Sequence, residues 1–228
     1  RKINFDKKVI FYGFDDANEY VAKNIAVSDI GTSFDVYHEK EFLGQFTIPL
    51  YGNHMVLNSL ACIIVCIYLG VNTQDIQRLF SNFKNAARRF SLKTFGDIVT
   101  IDDYAHHPTE IKVTLEAARA KYPDKKLIAV FKPNTYSRTA AFTKEFADSL
   151  KIADKVFMTE IDCNREKQED YPGITSSLVL KDIPDGEIIG EDDVDKLLKY
   201  QNAVICFMSC ASISHIKDKY ESLLESTK

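Results

Sequence analysis

The chain has 228 residues and a mass of 25.9 kDa, room for one large domain or one and a half ordinary ones at about 100–200 residues each. Twenty-nine basic against thirty-three acidic side chains leave a net charge of −4, which excludes the clustered positive surface of a nucleic-acid binder. With 45% apolar and 27% charged residues, compositional disorder is excluded and a globular α/β protein is the starting class.

Arg1-Lys2-Ile3-Asn4-Phe5-Asp6 carries no apolar run, so no secretory signal is expected and the expected location is cytoplasmic. Lys8 to Gly13 reads as a strand. Ser33–Tyr37 and Gln45–Leu50 alternate about a polar turn, which predicts an antiparallel hairpin. Two helices follow, from about His54 to Tyr68 and from Thr73 to Phe83. Thr73 is the expected N-cap, with Ile76, Leu79, Phe80 and Phe83 on one face. The apolar run Leu57–Leu69 is broken by Asn58 and Ser59 and falls short of the roughly 20 residues that span a bilayer, so a buried helix is expected. A hairpin and two helices without a full sheet make residues 1–87 part of a domain. Cys62, Cys66, Cys163, Cys206 and Cys210 lack zinc-site spacing and read as free thiols.

Past Ala86-Ala87-Arg88-Arg89 the pattern becomes regular. Phe90–Phe95 and Ile98–Asp102 form a hairpin about Gly96-Asp97. Pro108 opens a helix with Ile111, Leu115, Ala118 and Tyr122 on its apolar face. Strands at Leu127–Phe131, Val156–Ile161, Glu187–Ile189 and Val204–Met208 then alternate with helices at Thr139–Ile152, Ile174–Leu180, Glu191–Tyr200 and Ser212–Leu224. This alternation predicts a doubly wound, mostly parallel, Rossmann-like sheet over residues 88–228.

Ligands of such sheets bind beyond the carboxyl ends of the strands. Two polar clusters fall there. Asp102-Asp103-Tyr104-Ala105-His106-His107 puts carboxylates, imidazoles and a phenol just before a proline-initiated helix whose free N–H groups suit an anion. Thr109 and Glu110 read as capping residues. In Lys132-Pro133-Asn134-Thr135-Tyr136-Ser137-Arg138-Thr139, Arg138 is placed beside a helix N-terminus, able to clamp a carboxylate or phosphate. Three readings compete: a metal site of Asp102, Asp103, His106 and His107, including a metal-dependent hydrolase; a nucleotide or acyl-phosphate enzyme; and a non-catalytic nucleotide- or partner-binding module. Neither GxxxxGK[ST] nor GxGxxG occurs in the chain.

Gly52-Asn53-His54-Met55-Val56-Leu57-Asn58, Arg88-Arg89-Phe90, Asp102-Asp103-Tyr104-Ala105-His106-His107-Pro108-Thr109-Glu110 and Phe131-Lys132-Pro133-Asn134-Thr135-Tyr136-Ser137-Arg138-Thr139 occur in that order. The series resembles the Mur ligase family over essentially the whole chain. The resemblance implies that residues 1–87 are the C-terminal part of the family's central ATP-binding domain and residues 88–228 its C-terminal domain. It further implies an ATP-dependent ligase that adds L-alanine to UDP-N-acetylmuramate through an acyl phosphate in peptidoglycan precursor synthesis. A relative that recycles whole tripeptides is the nearest alternative. ATP and Mg2+ are the implied cofactors, held mainly by N-terminal and central segments with no counterpart here, so the chain alone is expected to be inactive. By matching position, His54 and Asn58 would lie near the adenine, Arg89 would reach the nucleotide from the hinge, and Asp103 would bind the ribose. Tyr104, His106 and Arg138 would hold L-alanine, with His106 and Arg138 at the catalytic centre. Three departures stand out: Met55 where relatives carry asparagine, Asn134-Thr135 in place of His-Arg or His-Thr, and Met208-Ser209-Cys210-Ala211-Ser212-Ile213 where a Gly-Ala-Gly-Asp-Ile turn is usual.

Overall fold

The computed structural model describes residues 7–163 and 165–226 and divides the chain into two units, Arg1–Asn85 and Ala86–Lys228. Residues 1–6, read above for a signal segment, lie outside the described residues. No described helix is long and apolar enough to cross a membrane.

The first unit holds more sheet than the sequence suggests. Strands β1 (Tyr12–Gly13), β2 (Tyr20–Ser28), β3 (Gly31–His38) and β4 (Glu41–Ile48) lie in chain order. The expected hairpin is β3–β4, and β2 extends it antiparallel on the other side. The predicted Lys8–Gly13 strand shrinks to two residues, parallel to β2. Strand β2 escapes a period-two reading because its register shifts between Lys23 and Ala26, where Asn24 takes φ +52°. A bulge puts two residues opposite one and breaks the alternation. Phe34, Val36, Phe46 and Ile48 of the sheet pack against Val56, Leu60 and Ile63 of helix α1 (Asn53–Tyr68) and Ile76 of α2 (Thr73–Ser81). Two expectations for α2 are corrected. Its N-cap is Asn72, whose side chain accepts the Asp75 N–H at 2.8 Å, and Leu79 and Phe83 remain exposed.

The second unit contains strands β5 (Ser91–Phe95), β6 (Ile98–Asp103), β7 (Lys126–Phe131), β8 (Lys155–Met158), β9 (Glu187–Ile188) and β10 (Ala203–Met208), in spatial order β5-β6-β10-β7-β8-β9. Only the β5–β6 pair is antiparallel. Helices α3 (Pro108–Lys121), α5 (Thr143–Leu150) and α6 (Ser176–Leu180) bury Ile111, Leu115, Phe146, Leu150 and Val179 in one core. A second core joins Val194 and Leu197 to Ile213, Ile216 and Tyr220, the last two on α7 (Ser214–Ser226). Separate cores built on alternate side chains of the same strands make the sheet doubly wound. The predicted helix from Thr139 is two helices. Helix α4 (Tyr136–Ala141) starts three residues earlier and ends at Phe142, whose φ of −129° is not helical. Thr139 and Thr143 hydroxyls bond back to the Thr135 and Thr139 carbonyls at 2.8 and 2.7 Å, a competition with the backbone ladder that favours a bend. The segment Glu191–Leu197 is a 3-10 helix rather than an α-helix.

Candidate functional site

The chain runs from β6 through α3 to β7 and leaves the position between them for β10, its last strand. The direction of winding reverses there, and open α/β sheets bind ligands at such a point. Asp103 lies beside Met208, and Met208 beside Phe131. The segments after all three residues therefore leave the sheet at one level. Backbone bonds tie them together: Ser209 N–H to Asp103 O at 3.1 Å and Lys132 N–H to Met208 O at 3.1 Å. The Ser209 hydroxyl, fully buried, adds a bond to Lys132 O at 2.9 Å. Serine thus has work in the turn where a glycine is usual. Ser212, where an aspartate is usual, accepts the Ser214 N–H at 3.3 Å and so serves the start of α7.

Asp103 is buried, 8% exposed. Its Oδ2 accepts the Phe90 N–H at 2.7 Å and its Oδ1 the Ala105 N–H at 2.8 Å. Burial raises its pKa above the ordinary carboxylate value, against the opposing pull of those two N–H donors and of Arg89. The side chain fastens the Arg88–Phe90 segment to the β6 loop, and any contact with a ligand must use its remaining lone pairs. Arg88 completes the fastening. Its guanidinium bonds Asp102 Oδ1 at 3.3 Å, Ala211 O at 2.9 Å and Ser209 O, while its carbonyl accepts the Tyr104 N–H at 2.8 Å. Arg88 and Phe90 hold φ of +56° and +51°, a left-handed backbone that ordinary residues adopt at a cost of order 1 kcal/mol each. The sequence offered Arg88 as half of an arginine pair, without a sign that it spans three loops.

Both arginines face the Tyr104 ring, Arg88 at 5.5 Å and Arg89 at 5.2 Å from its centroid. The ring also meets His106 edge-on at 5.4 Å. His106 Nδ1 lies 3.0 Å from Tyr104 O and 3.1 Å from Glu110 Oε2. Both are acceptors, so Nδ1 carries the proton and Nε2 keeps its lone pair when the ring is neutral. Glu110 Oε2 also accepts the His106 and His107 N–H groups at 2.9 and 3.1 Å. Burial alone would raise the Glu110 pKa, but these N–H donors and His106 hold it below its ordinary value. His107 is the N-cap of α3: its Nδ1 accepts the Thr109 N–H at 3.3 Å, and its ring stands on Phe142 at 4.8 Å. Glu110 and His107 thus form the reciprocal cap of a helix whose first residue is Pro108.

Arg138 lies inside α4 and is half-buried. Glu166 takes the start of that helix, accepting the Ser137 N–H at 3.0 Å and its hydroxyl. Those bonds, with Arg138 nearby, lower the Glu166 pKa. Lys132, 7% exposed, pairs with Asp162 Oδ2 at 2.8 Å.

The first unit has its own candidates. The N-cap of α1 is Gly52 at φ +95°, with no side-chain cap, so neither His54 nor Asn58 caps that helix. Asn58 is exposed and lines an apolar cavity of about 260 Å³ with Leu50, Met55, Cys62, Phe80 and Phe83. Among the described residues, the one set of three ligand side chains close enough to share a metal ion is Glu19–His38–Glu39. The Asp102, Asp103, His106 and His107 set does not bring three ligand atoms within such reach of one another.

Residues 88–208 match the family model described as Mur ligase, glutamate ligase domain, and residues 1–66 match the Mur ligase middle domain. The chain is 46% identical to the UDP-N-acetylmuramate–L-alanine ligase of Levilactobacillus brevis, covering 98% of this chain and 50% of that protein. It is likewise 46% identical to the Lactiplantibacillus plantarum enzyme of the same name, over 99% of this chain and 50% of that one. It therefore spans about half the length of the curated relatives it matches. The structure of UDP-N-acetylmuramate-alanine ligase from Thermotoga maritima superimposes with a TM-score of 0.78 at 23% identity, over 96% of this chain and 48% of that one. Two matched domain models, the one over residues 88–208 covering the whole parallel sheet and its crevice, settle the affiliation: the chain belongs to the Mur ligase family.

Proposed function

We propose that this chain forms the C-terminal half of an ATP-dependent ligase that joins L-alanine to UDP-N-acetylmuramate in the cytoplasm. The observation that carries the reading is the His106 arrangement. With its Nδ1–H tied to a carbonyl and a carboxylate, the imidazole leaves Nε2 to accept a proton, at the strand-end edge from which Lys132–Thr135 leads to Arg138 in α4. Amide formation needs such a base, because an amino acid arrives as an ammonium and attacks only after losing a proton. Arg138 holds the alanine carboxylate through a two-pronged guanidinium contact. The Tyr104 ring, flanked by two arginines, walls the same space. Bound ATP supplies the phosphoryl group that activates the acid carboxylate. The apolar cavity beside Asn58 has the character of a slot for a flat base, with His54 near the start of the same helix. By their positions in the family's motifs, Arg89 is assigned to the phosphates and Asp103 to the ribose. Among the described residues, those of the crevice bring no three ligand atoms together and do not fit Mg2+, and the ion is assigned to other segments of the enzyme.

The test joins this chain to the N-terminal half of the Levilactobacillus brevis relative and follows phosphate release. We expect release that requires both UDP-N-acetylmuramate and L-alanine, and none from this chain alone. Arg138→Ala should raise the KM for L-alanine about 30- to 100-fold, the worth of a lost charged contact. Release supported by a tripeptide and not by L-alanine would assign the chain to peptide recycling. No release from the joined protein with either substrate would leave a non-catalytic module, and an unchanged KM for L-alanine with Arg138→Ala would remove Arg138 from the alanine site.

A further inference from the structure

The sequence holds two Cys-x-x-x-Cys spacings, Cys62 with Cys66 and Cys206 with Cys210. The fold makes neighbours of the first pair. Cys206 is buried inside β10, and Cys210 lies in the turn beyond it. Cys62 and Cys66 stand one turn apart on α1, where residues four apart face each other, and their thiols are hydrogen-bonded to each other. Both are free, Cys62 exposed and Cys66 half-buried beside the core of the first unit. Burial raises the Cys62 thiol pKa, and Cys66 raises it further, so the pair stays protonated and slow to oxidise at neutral pH. The Cβ atoms of such a pair lie about 5–6 Å apart, beyond the roughly 3.5–4.5 Å that a disulfide spans. The helix keeps the two sulfurs near each other without letting them join.

We infer that Cys62 and Cys66 form a two-thiolate site for a soft monovalent cation, Cu(I), on the wall of the apolar cavity beside Asn58. A bridge through a metal replaces one S–S bond of about 2.05 Å by two metal–sulfur bonds of roughly 2.3 Å, which suits the wider separation that the helix imposes. Zinc fits less well, because it takes four ligands. Among the described residues, the one set of three imidazole, thiol or carboxylate groups within reach of a single ion is Glu19–His38–Glu39, elsewhere in the unit. Thiolates select Cu(I), and two of them suffice for that ion. Binding converts Cu+ and two thiols into a bis-thiolate copper(I) anion and two protons, with no electron transferred and no sulfur–sulfur bond formed. Cys62 lines the cavity together with Met55, Asn58 and Phe80, so an ion held there takes up room at its wall. On the reading of that cavity as the slot for adenine, copper competes with ATP; the metal site itself does not depend on that reading.

Anaerobic competition with the Cu(I) chelator bicinchoninate tests the site on this chain, purified whole with its cysteines reduced. We expect the parent to take one equivalent of Cu(I) from the chelator. Cys62→Ser and Cys66→Ser should each weaken binding by about 100-fold or more, since each removes one of two metal bonds. Replacing Cys163 and Cys210 together by serine should leave binding at the parent level. Serine is close to cysteine in size, and circular dichroism checks that every variant is folded. Copper left with the chelator by the parent would overturn the inference, as would an affinity that falls with Cys163 and Cys210 and not with Cys62 and Cys66. In this chain joined to the N-terminal half of the Levilactobacillus brevis relative, Cu(I) should raise the KM for ATP about tenfold or more in the parent but not in Cys66→Ser. Copper bound through Cys62 and Cys66 with the KM for ATP unmoved would leave the metal site standing and count against the cavity as the adenine slot instead.

Discussion

At the scale of single residues, the crevice depends on carboxylates whose main partners are backbone N–H groups. Asp103 serves Phe90 and Ala105 with one oxygen each. An asparagine has only one acceptor oxygen, so Asp103→Asn sets an NH2 group against one of those donors. We expect a loss of about 1–3 kcal/mol, the cost of an unpaired buried group, measured by urea unfolding at neutral pH. Glu110 acts through the start of α3, and Glu110→Ala should cost about 1 kcal/mol, typical of a lost cap. The pH dependence of that loss follows from its sign. The Glu110 pKa is lowered in the folded state from an ordinary value of 4.5, so its contribution is complete above that value and disappears as pH falls through the lower folded one. The stability gap between the parent and Glu110→Ala should therefore be full at pH 7 and close in strong acid. Asp103 runs the other way. Its folded pKa is raised by burial, so its carboxylate works against the fold as pH rises through that value.

At the scale of elements, the loops of the crevice are joined by one cation. Arg88 reaches the β6 loop through Asp102 and the β10 turn through two carbonyls. Lysine is a point charge without the planar fork and cannot span these acceptors. Arg88→Lys should lower stability by about 1.5–3 kcal/mol, on the scale of a bond to a charged group. It should also speed hydrogen exchange at Tyr104 N–H, which bonds the Arg88 carbonyl; exchange at the parent rate would remove Arg88 from this role. Legibility followed the same division. The parallel strands were plain in the sequence because strands buried on both faces are continuous apolar runs such as Leu127–Phe131. Strand β2 was hidden by its bulge, and the break at Phe142 by a helical pattern that continues through it. In the crevice, Tyr104, His106 and Arg138 stood out as polar residues after strand ends. Arg88 and Glu166 did not, because their partners lie 121 and 29 positions away along the chain, a pairing that local spacing cannot carry.

At the scale of the whole molecule, the two units differ in what they leave uncovered. In the second, both faces of the six-stranded sheet are packed, by α3, α5 and α6 on one side and by the 3-10 segment and α7 on the other. Among its described residues, only Tyr104 and Leu198 are large, apolar and exposed. Tyr104 belongs to the crevice, where an exposed ring is useful. A unit with its own core on each face of its sheet meets the requirement for folding alone. Residues 86–228, made separately, should unfold in urea in a single transition, with far- and near-ultraviolet circular dichroism changing together. Residues 7–85, with one covered face on α1, should instead bind a hydrophobic dye and self-associate at neutral pH. Noncoincident transitions for the larger piece would show that its sheet needs support from outside residues 86–228. A smaller piece that stays monomeric and dye-free would mean that the exposed Val65, Tyr68 and Leu69 at the end of α1 tolerate water.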